Sequence, residues 1–426
     1  PANAGINVMK RATLRDSAVM RWMVAALGLV IALSLTQELA RPETTDLISA
    51  GTAESTLRRA IPILLAGLGG IWAERAGVVN IGLEGMMILG TWFGAWGALE
   101  FGPWWGLAIG VAGGAAGGLL HAIATVGFGV DHIISGVAIN ILAPALARFL
   151  SGEVFAARSG GGITQSPRVE SVGHGDLPFV SGGDMFGWST PDLFGWLSDQ
   201  GWFLVSDLSA LLSGITSNVS WATLLALLLV PASVVILWRT SLGLRIRAAG
   251  EHPVAADSLG VNVYRMKTLA VVVSGGLAGF GGAFIVIEQT GIYREAQVQG
   301  RGFIGLATVI FGNWQPVGAF LGSMLFGFAD ALQLRDRTAV HALLLLVGAA
   351  LAALAVRAVL RRRPAAGTGF AALALVVLWW YSVSEEVMRE LPPITPHVAT
   401  LLVLVFASSR LRMPAANGLR YRRGQE

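Results

Sequence analysis

The 426-residue sequence contains no cysteine. That excludes a disulfide framework, a thiolate metal site and a cysteine nucleophile. Charge is scarce as well: Asp, Glu, Lys and Arg together make up 13% of the chain, against about 25% in an ordinary soluble domain. The net charge of +4 is modest, and the arginines gather at the ends of apolar segments. They read as topology signals and not as a nucleic-acid footprint, so no nucleic-acid partner is expected. The six histidines, at 121, 132, 174, 252, 341 and 397, are scattered without H-E-x-x-H or similar spacing, so no metal site is expected. There is no G-x-x-x-x-G-K-[ST], so the chain does not hydrolyse ATP through a P-loop of its own. There is no G-x-S-x-G either. The expectation is a chain with no catalytic residues and no cofactor of its own.

What is abundant is apolar. Hydrophobic residues fill 54% of the chain, with 55 Gly and 14 Trp. Excess Gly suits close helix packing in lipid, and Trp favours the membrane interface. Apolar segments fall near 19–36, 57–73, 79–99, 103–127, 132–150, 218–238, 268–290, 302–312, 315–333, 338–356, 369–384 and 397–409. These twelve predict an all-α, polytopic transmembrane helix bundle forming a single domain over 1–426. The 302–312 segment is too short to cross a core of roughly 30 Å at about 1.5 Å per residue, so a broken or half helix is expected there. Residues 1–18 are polar and basic, and no small-residue cleavage site follows, which reads as a retained first helix.

Positive charge sets the orientation. Lys10, Arg11, Arg15 and Arg21 lie before the first segment or at its start. Arg239, Arg245, Arg247, Arg265 and Lys267 follow the sixth; Arg357, Arg361, Arg362 and Arg363 follow the tenth; Arg410, Arg412, Arg420, Arg422 and Arg423 close the chain. If every segment crosses once, all four clusters fall on one side, the cytoplasm, which places both termini there. Arg58 and Arg59 then belong at the outer end of the second helix. Residues 151–217 become an extracytoplasmic segment, in which Phe194–Trp196 and Trp202–Leu204 look like helices lying on the membrane surface or packed on the outer mouth. Residues 239–267 become a cytoplasmic loop.

Within that loop, Pro253 suits a first helical turn and Gly260 the left-handed position past a helix end. A helix of about two turns between them is too short to span. It either protrudes into a groove on a soluble partner, with Ala255 and Ala256 allowing close approach, or is an ordinary surface helix. Asn80 and Glu84 are four apart and share a helical face. Gly82 and Gly85 permit a break there. A carboxylate inside an apolar segment normally faces a bundle interior or a wet cavity, so the pair marks either a translocation path or an interhelical hydrogen bond. Asn140, Glu288, Gln289 and Asp330 are further polar groups in or near spans, Asn140 and Gln289 being candidates for the same path. Glycines four apart (110, 114 and 118; 275 and 279; 318 and 322; 90 and 94) let helix backbones touch.

Three blocks resemble the permeases of bacterial ABC importers of the branched-chain amino acid, ribose and nucleoside group. They are Glu74-Arg-Ala-Gly-Val-Val-Asn-Ile-Gly-Leu-Glu-Gly85, the loop Leu242 to Lys267 with its Glu251-His252-Pro253 triplet, and Gly300-Arg-Gly-Phe-Ile-Gly-Leu-Ala-Thr-Val-Ile-Phe-Gly-Asn-Trp-Gln-Pro-Val-Gly318. The wording is most similar to the nucleoside, or simple-sugar, branch. The resemblance implies a bacterial plasma-membrane protein that pairs with a second permease subunit, usually a different chain. It also implies two ATP-binding-cassette ATPase subunits, which bind the ATP, and an extracytoplasmic solute-binding lipoprotein. It assigns coupling to the ATPase to Gly250, Glu251, His252, Pro253, Ala255, Ala256 and Gly260, and the pore region to Asn80 and Glu84. Residues 338–384 depart from the family pattern: an inserted two-helix hairpin raises about ten core spans to twelve. The alternatives are a pentose or simple-sugar permease, a stand-alone secondary transporter using Glu84 and Asp330 as ion sites, and an intramembrane enzyme, for which no catalytic constellation is present.

Overall fold

The apolar segments become helices because lipid offers no partner to a backbone N–H or C=O, so each segment must satisfy its own. The computed structural model describes residues 27–40, 47–185, 188–332, 337–388 and 411–423. The expected last span, 397–409, lies outside the described residues, as do the basic cluster Lys10, Arg11, Arg15 and Arg21, and Arg410. The all-α polytopic bundle is what forms. Its helices are α1 (Leu27–Leu39), α2 (Ala50–Arg75), α3 (Leu83–Phe101), α4 (Pro103–Ala122), α5 (His132–Val154), α6 (Leu193–Ser198), α7 (Val205–Thr216), α8 (Trp221–Arg239), α9 (Ser241–Glu251), α10 (Pro253–Ser258), α11 (Val263–Phe284), α12 (Arg301–Phe311), α13 (Pro316–Ala331), α14 (Arg337–Leu360) and α15 (Pro364–Val383). Single π turns, Ile123–Gly127 and Ile285–Thr290, extend α4 and α11. Among the described residues six helices are long and apolar enough to cross a membrane: Pro103–Gly127, His132–Val154, Trp221–Arg239, Val263–Thr290, Val340–Leu360 and Pro364–Val383.

The chain divides into two compact units. The first comprises Pro1–Thr56, Asp176–Asn218 and Phe328–Val398. Leu33, Leu47, Ile48, Leu332, Val340 and Val387 form its core. The Ser34 hydroxyl donates to Asp207 at the start of α7. In the 151–217 region the structure corrects one reading. Phe194–Trp196 does lie in a helix, α6, but Trp202–Leu204 precedes α7, which starts at Val205. Leu204 has a φ of 62°, which ends helical continuity at that residue. Helices α14 and α15 pair through Gly348, where an added Cβ would lie 2.5 Å from Leu378. His341, the ionisable group inside the pair, stacks on Tyr381 and bonds to the Ser384 hydroxyl at 3.1 Å. Val356, Leu360, Leu375, Trp379 and Val383 are exposed apolar side chains, the composition of a surface that meets lipid.

The second unit comprises Leu57–Gly175, Val219–Gly327 and Ala399–Glu426. Its axis is the α11 span, 89% buried. The glycines singled out by their spacing are the ones that pack on it. A Cβ added to Gly114 would lie 2.3 Å from the Gly275 carbonyl oxygen, and one added to Gly90 would lie 2.2 Å from that of Gly279. Hence α3 and α4 both lie backbone to backbone against α11. The half helix expected at 302–312 is α12, 11 residues long, joined to the 16-residue α13 by a turn with Asn313 and Trp314 both at positive φ. The loop 239–267 contains a helix the sequence reading lacked: α9, capped by the Thr240 hydroxyl accepting the Gly243 N–H at 3.1 Å. Lys267, grouped by its charge with the surface arginines, is instead 3% exposed and lies inside the unit.

Candidate functional site

Helix α2 ends at Arg75. With φ 81°, Gly77 closes the helix as its Val78 neighbour donates to Ala73 O and its own N–H to Glu74 O. The chain then runs without helix to Leu83. The break therefore lies at 76–82. Gly82 is at its edge, and Gly85 lies inside α3, where the missing side chain admits the Ile139 carbonyl.

A non-helical stretch among spans needs its backbone groups satisfied by neighbours, and here side chains do it. His132 Nδ1 accepts the Val79 N–H at 3.3 Å. His121 Nε2 donates to Val79 O at 3.1 Å, which fixes its tautomer and leaves Nδ1 to accept from the Ser135 hydroxyl at 2.9 Å. Lys267 Nζ donates to Gly77 O at 3.2 Å. Asn140 clamps both ends of the exit, donating to Ile81 O at 3.0 Å and accepting the Gly85 N–H at 2.8 Å. Asn80, fully buried, accepts the Gly82 N–H at 3.1 Å and donates to Ser274 Oγ at 2.9 Å. Asp131 caps α5 beside His132; the Ile134 N–H, then that of Ile133, holds its carboxyl below the usual range.

Glu84 stands one turn further on, 9% exposed. Both its oxygens are taken: Oε1 accepts the Gly300 N–H at 2.8 Å and Oε2 the Gly302 N–H at 2.7 Å. These are the first free donors of α12, so a carboxylate from α3 caps the half helix and meets the positive end of its dipole. Gly302 is required by the close approach, since a Cβ there would lie 2.6 Å from Glu84 Cα. Asn80 and Asn140 are thus brought together on the break, while Glu84, just past it, holds the start of α12. Gln289 is not among them. It donates to the Arg58 carbonyl oxygen at the end of the second π turn. Arg58 in turn donates to the Glu288 carbonyl at 3.1 and 2.5 Å, a cation at a helix C-terminus. Glu288 accepts the Val172 N–H at 3.0 Å and lies 3.4 Å from His174 Nε2.

The loop residues form a second cluster. Gly250 touches the break: a Cβ there would lie 2.2 Å from Arg75 O. Glu251, at the end of α9, lies 4.0 Å from Arg75. His252 precedes α10, which starts at Pro253, and Gly260 has the expected positive φ, 83°. Ala255 is exposed, as are Val254 and Leu259. Ala256 is not. It packs inward on Ala249 and Val263, so its small size serves this chain's own interior. Burial, and then Asp257, push the nearby Tyr421 phenol up.

Sequence reasoning missed His121, His132, Lys267 and Ser274 as partners of the break, because they converge from separate helices with no shared spacing. It also missed Glu74, which accepts from Trp314 Nε1 at 2.5 Å and from Asn417 Nδ2 at 2.9 Å.

A multi-pass helical bundle whose buried polar side chains hold a broken span and a half helix belongs to the class of membrane transport proteins. The chain belongs to the family described as "Branched-chain amino acid transport system / permease component", whose model matches residues 52–347. It is 35% identical over 288 residues to the guanosine ABC transporter permease protein NupQ of Bacillus subtilis (strain 168), covering 66% of this chain and 81% of that protein. It is 35% identical over 280 residues to the nucleoside ABC transporter permease protein NupC of Lactococcus lactis subsp. cremoris (strain MG1363), covering 64% and 78%. It is also 35% identical over 293 residues to the putative glucose ABC transporter permease protein TsgC13 of Haloferax volcanii, covering 68% and 79%. No solved structure matches the chain.

Proposed function

We propose that this chain is the permease subunit of an ATP-binding-cassette importer and that its solute is a nucleoside. The observation that carries the reading is the likeness, at 35% identity over most of their length, to permeases named for guanosine and for nucleosides. The exposed helix α10, too short to span and ending in a glycine at positive φ, supports docking of a soluble partner. In this reading an ATPase subunit seats on Val254, Ala255 and Leu259, a second permease subunit completes the path, and an external binding lipoprotein delivers the solute. Both termini and the α9–α10 loop lie in the cytoplasm, residues 151–217 outside, and α14–α15 forms a hairpin at the periphery. The break at 76–82 and α12 border the path, with Asn80, Glu84 and Asn140 as its scaffold. Gln289 belongs to the outer end.

A simple sugar is the second reading, favoured by the likeness to the putative glucose permease. A stand-alone secondary transporter is disfavoured because both Glu84 oxygens already accept backbone N–H groups. The deciding experiment reconstitutes the chain in proteoliposomes with an ATPase, a second permease and a binding protein of the same source. Uptake of labelled guanosine or uridine that needs ATP supports the proposal. ATP-driven uptake of glucose or ribose alone supports the second reading, and uptake that proceeds without the ATPase overturns both.

A further inference from the structure

Residues 411–423 contain no helix or strand, yet they are tied down along their length. The Arg412 N–H donates to Asn313 Oδ1 at 2.7 Å. The Ala415 N–H donates to Glu251 at 3.1 Å and the Ala416 N–H to Gly250 O at 2.9 Å. Asn417 Nδ2 donates to Glu74 at 2.9 Å, and the Gly418 N–H to Gly77 O at 3.3 Å. Beyond this, Tyr421 packs on Tyr264 with ring centroids 5.5 Å apart, and Arg423 pairs with Asp257 of α10 at 3.0 Å.

The anchors fall in three places far apart in sequence: the turn between α12 and α13, the end of α2 where the span breaks, and the C-terminal end of α9. Gly250 also touches the end of α2 directly, but that is a contact between backbones, with an added Cβ 2.2 Å from Arg75 O. Steric contact transmits a push and cannot transmit a pull. Arg75 and Glu251 are 4.0 Å apart, and the Glu251 side chain is 46% exposed, so solvent weakens that link. The tail bonds the loop at Ala416 and the break at Gly418, two residues apart. Together with Lys267, which donates to the same Gly77 carbonyl at 3.2 Å, it resists their separation. Asn417 adds a second tie, and its Oδ1 is buried with no donor among the described residues.

We infer that residues 412–418 are a transmission strap. They carry displacement of the C-terminal end of α9, which leads through His252 into α10, in both directions, to the break at 76–82 and to the turn after α12. The inference rests on the importer reading, in which α10 receives the motion of the ATPase. It makes Asn417 and Gly418 positioning residues, remote from the solute, that set how much transport each ATP hydrolysed yields.

The test inserts two glycines between Asn417 and Gly418 in the full chain, in the complete reconstituted complex. The insertion keeps every anchor and adds slack between the two that matter. The expected result is assembly and basal ATPase activity like the parent's, with solute moved per ATP falling about tenfold, within the range of ordinary coupling effects. Asn417→Ala with Arg423→Ala, which removes ties without lengthening the chain, should lower the same ratio. It replaces the insertion if that variant fails to assemble. A parental solute-to-ATP ratio in whichever variant assembles overturns the strap, and so does a parallel fall in uptake and ATPase activity. Failure of the unmodified complex to show ATP-driven uptake overturns the importer reading, and the strap with it.

Discussion

Glu84 in α3 and Gly302 in α12 are joined by a 2.7 Å hydrogen bond from the Gly302 N–H to Oε2, while the other oxygen takes the Gly300 N–H. Glutamine in place of Glu84 keeps one acceptor but turns an NH₂ toward the second N–H. Glu84→Gln is expected to lower stability by roughly 1–3 kcal/mol, the cost of one buried donor left unmatched. Glu84→Leu strands both donors and should cost more. Thermal melting of the detergent-solubilised protein, followed by size-exclusion chromatography, measures both. A Glu84→Leu protein melting at the parental temperature would show that the cap carries no weight.

Asn140 is a two-handed clamp on the broken span, and Gln289 is not. Asn140→Asp still accepts the Gly85 N–H but sets a carboxylate oxygen against the Ile81 carbonyl, which Asn140 reaches at 3.0 Å. A loss of about 1–3 kcal/mol is expected. Gln289→Ala removes one bond at a partly exposed site, so under about 1 kcal/mol is expected. The same melting assay ranks the two, and equal shifts would deny Asn140 its special role.

The neighbouring alanines of α10 should behave oppositely. Ala256→Arg forces a cation into the Ala249 and Val263 cluster. It should reduce the amount of folded protein in the membrane, since an unpaired buried charge is strongly destabilising. Ala255 is exposed, so Ala255→Arg should leave that amount unchanged while reducing co-purification of the ATPase. Immunoblots of membranes, together with ATPase recovered per permease, separate the outcomes. Full ATPase recovery with Ala255→Arg would place docking elsewhere.

Local signals made part of this legible. The length of apolar runs marked the spans, the shortness of 302–312 marked α12, and Pro253 and Gly260 marked the ends of α10. These are properties of neighbouring residues. The inward turn of Ala256, the burial of Lys267 and the capping of α12 by Glu84 depend on residues far away in sequence. A histidine at 121 and another at 132 serve the same residue, Val79, at its C=O and its N–H from different helices, and no spacing rule encodes that. Asn80 and Glu84 share a face only if the helix is continuous, and the break ends just past Asn80, at Gly82. Asn80 holds that discontinuity, and Glu84 holds the start of α12.

Glycine spacing makes the sharpest quantitative contrast. Gly114 packs α4 on α11, and a Cβ there would lie 2.3 Å from Gly275 O and 2.4 Å from Gly279 Cα. Both are backbone atoms of the most buried span, so neither can swing aside. Gly114→Ala is expected to cost about 1–3 kcal/mol through overpacking. Gly152 sits within α5 with no atom within 4 Å of its would-be Cβ. There the methyl group meets open space and removes only the entropy cost of glycine in a helix, so Gly152→Ala should gain roughly 0.5–1 kcal/mol. The two substitutions are chemically identical and opposite in expected sign. Melting temperatures of the two variants beside the parent decide the matter. Similar shifts for both, or a Gly114→Ala protein as stable as the parent, would refute close backbone packing of α4 on α11.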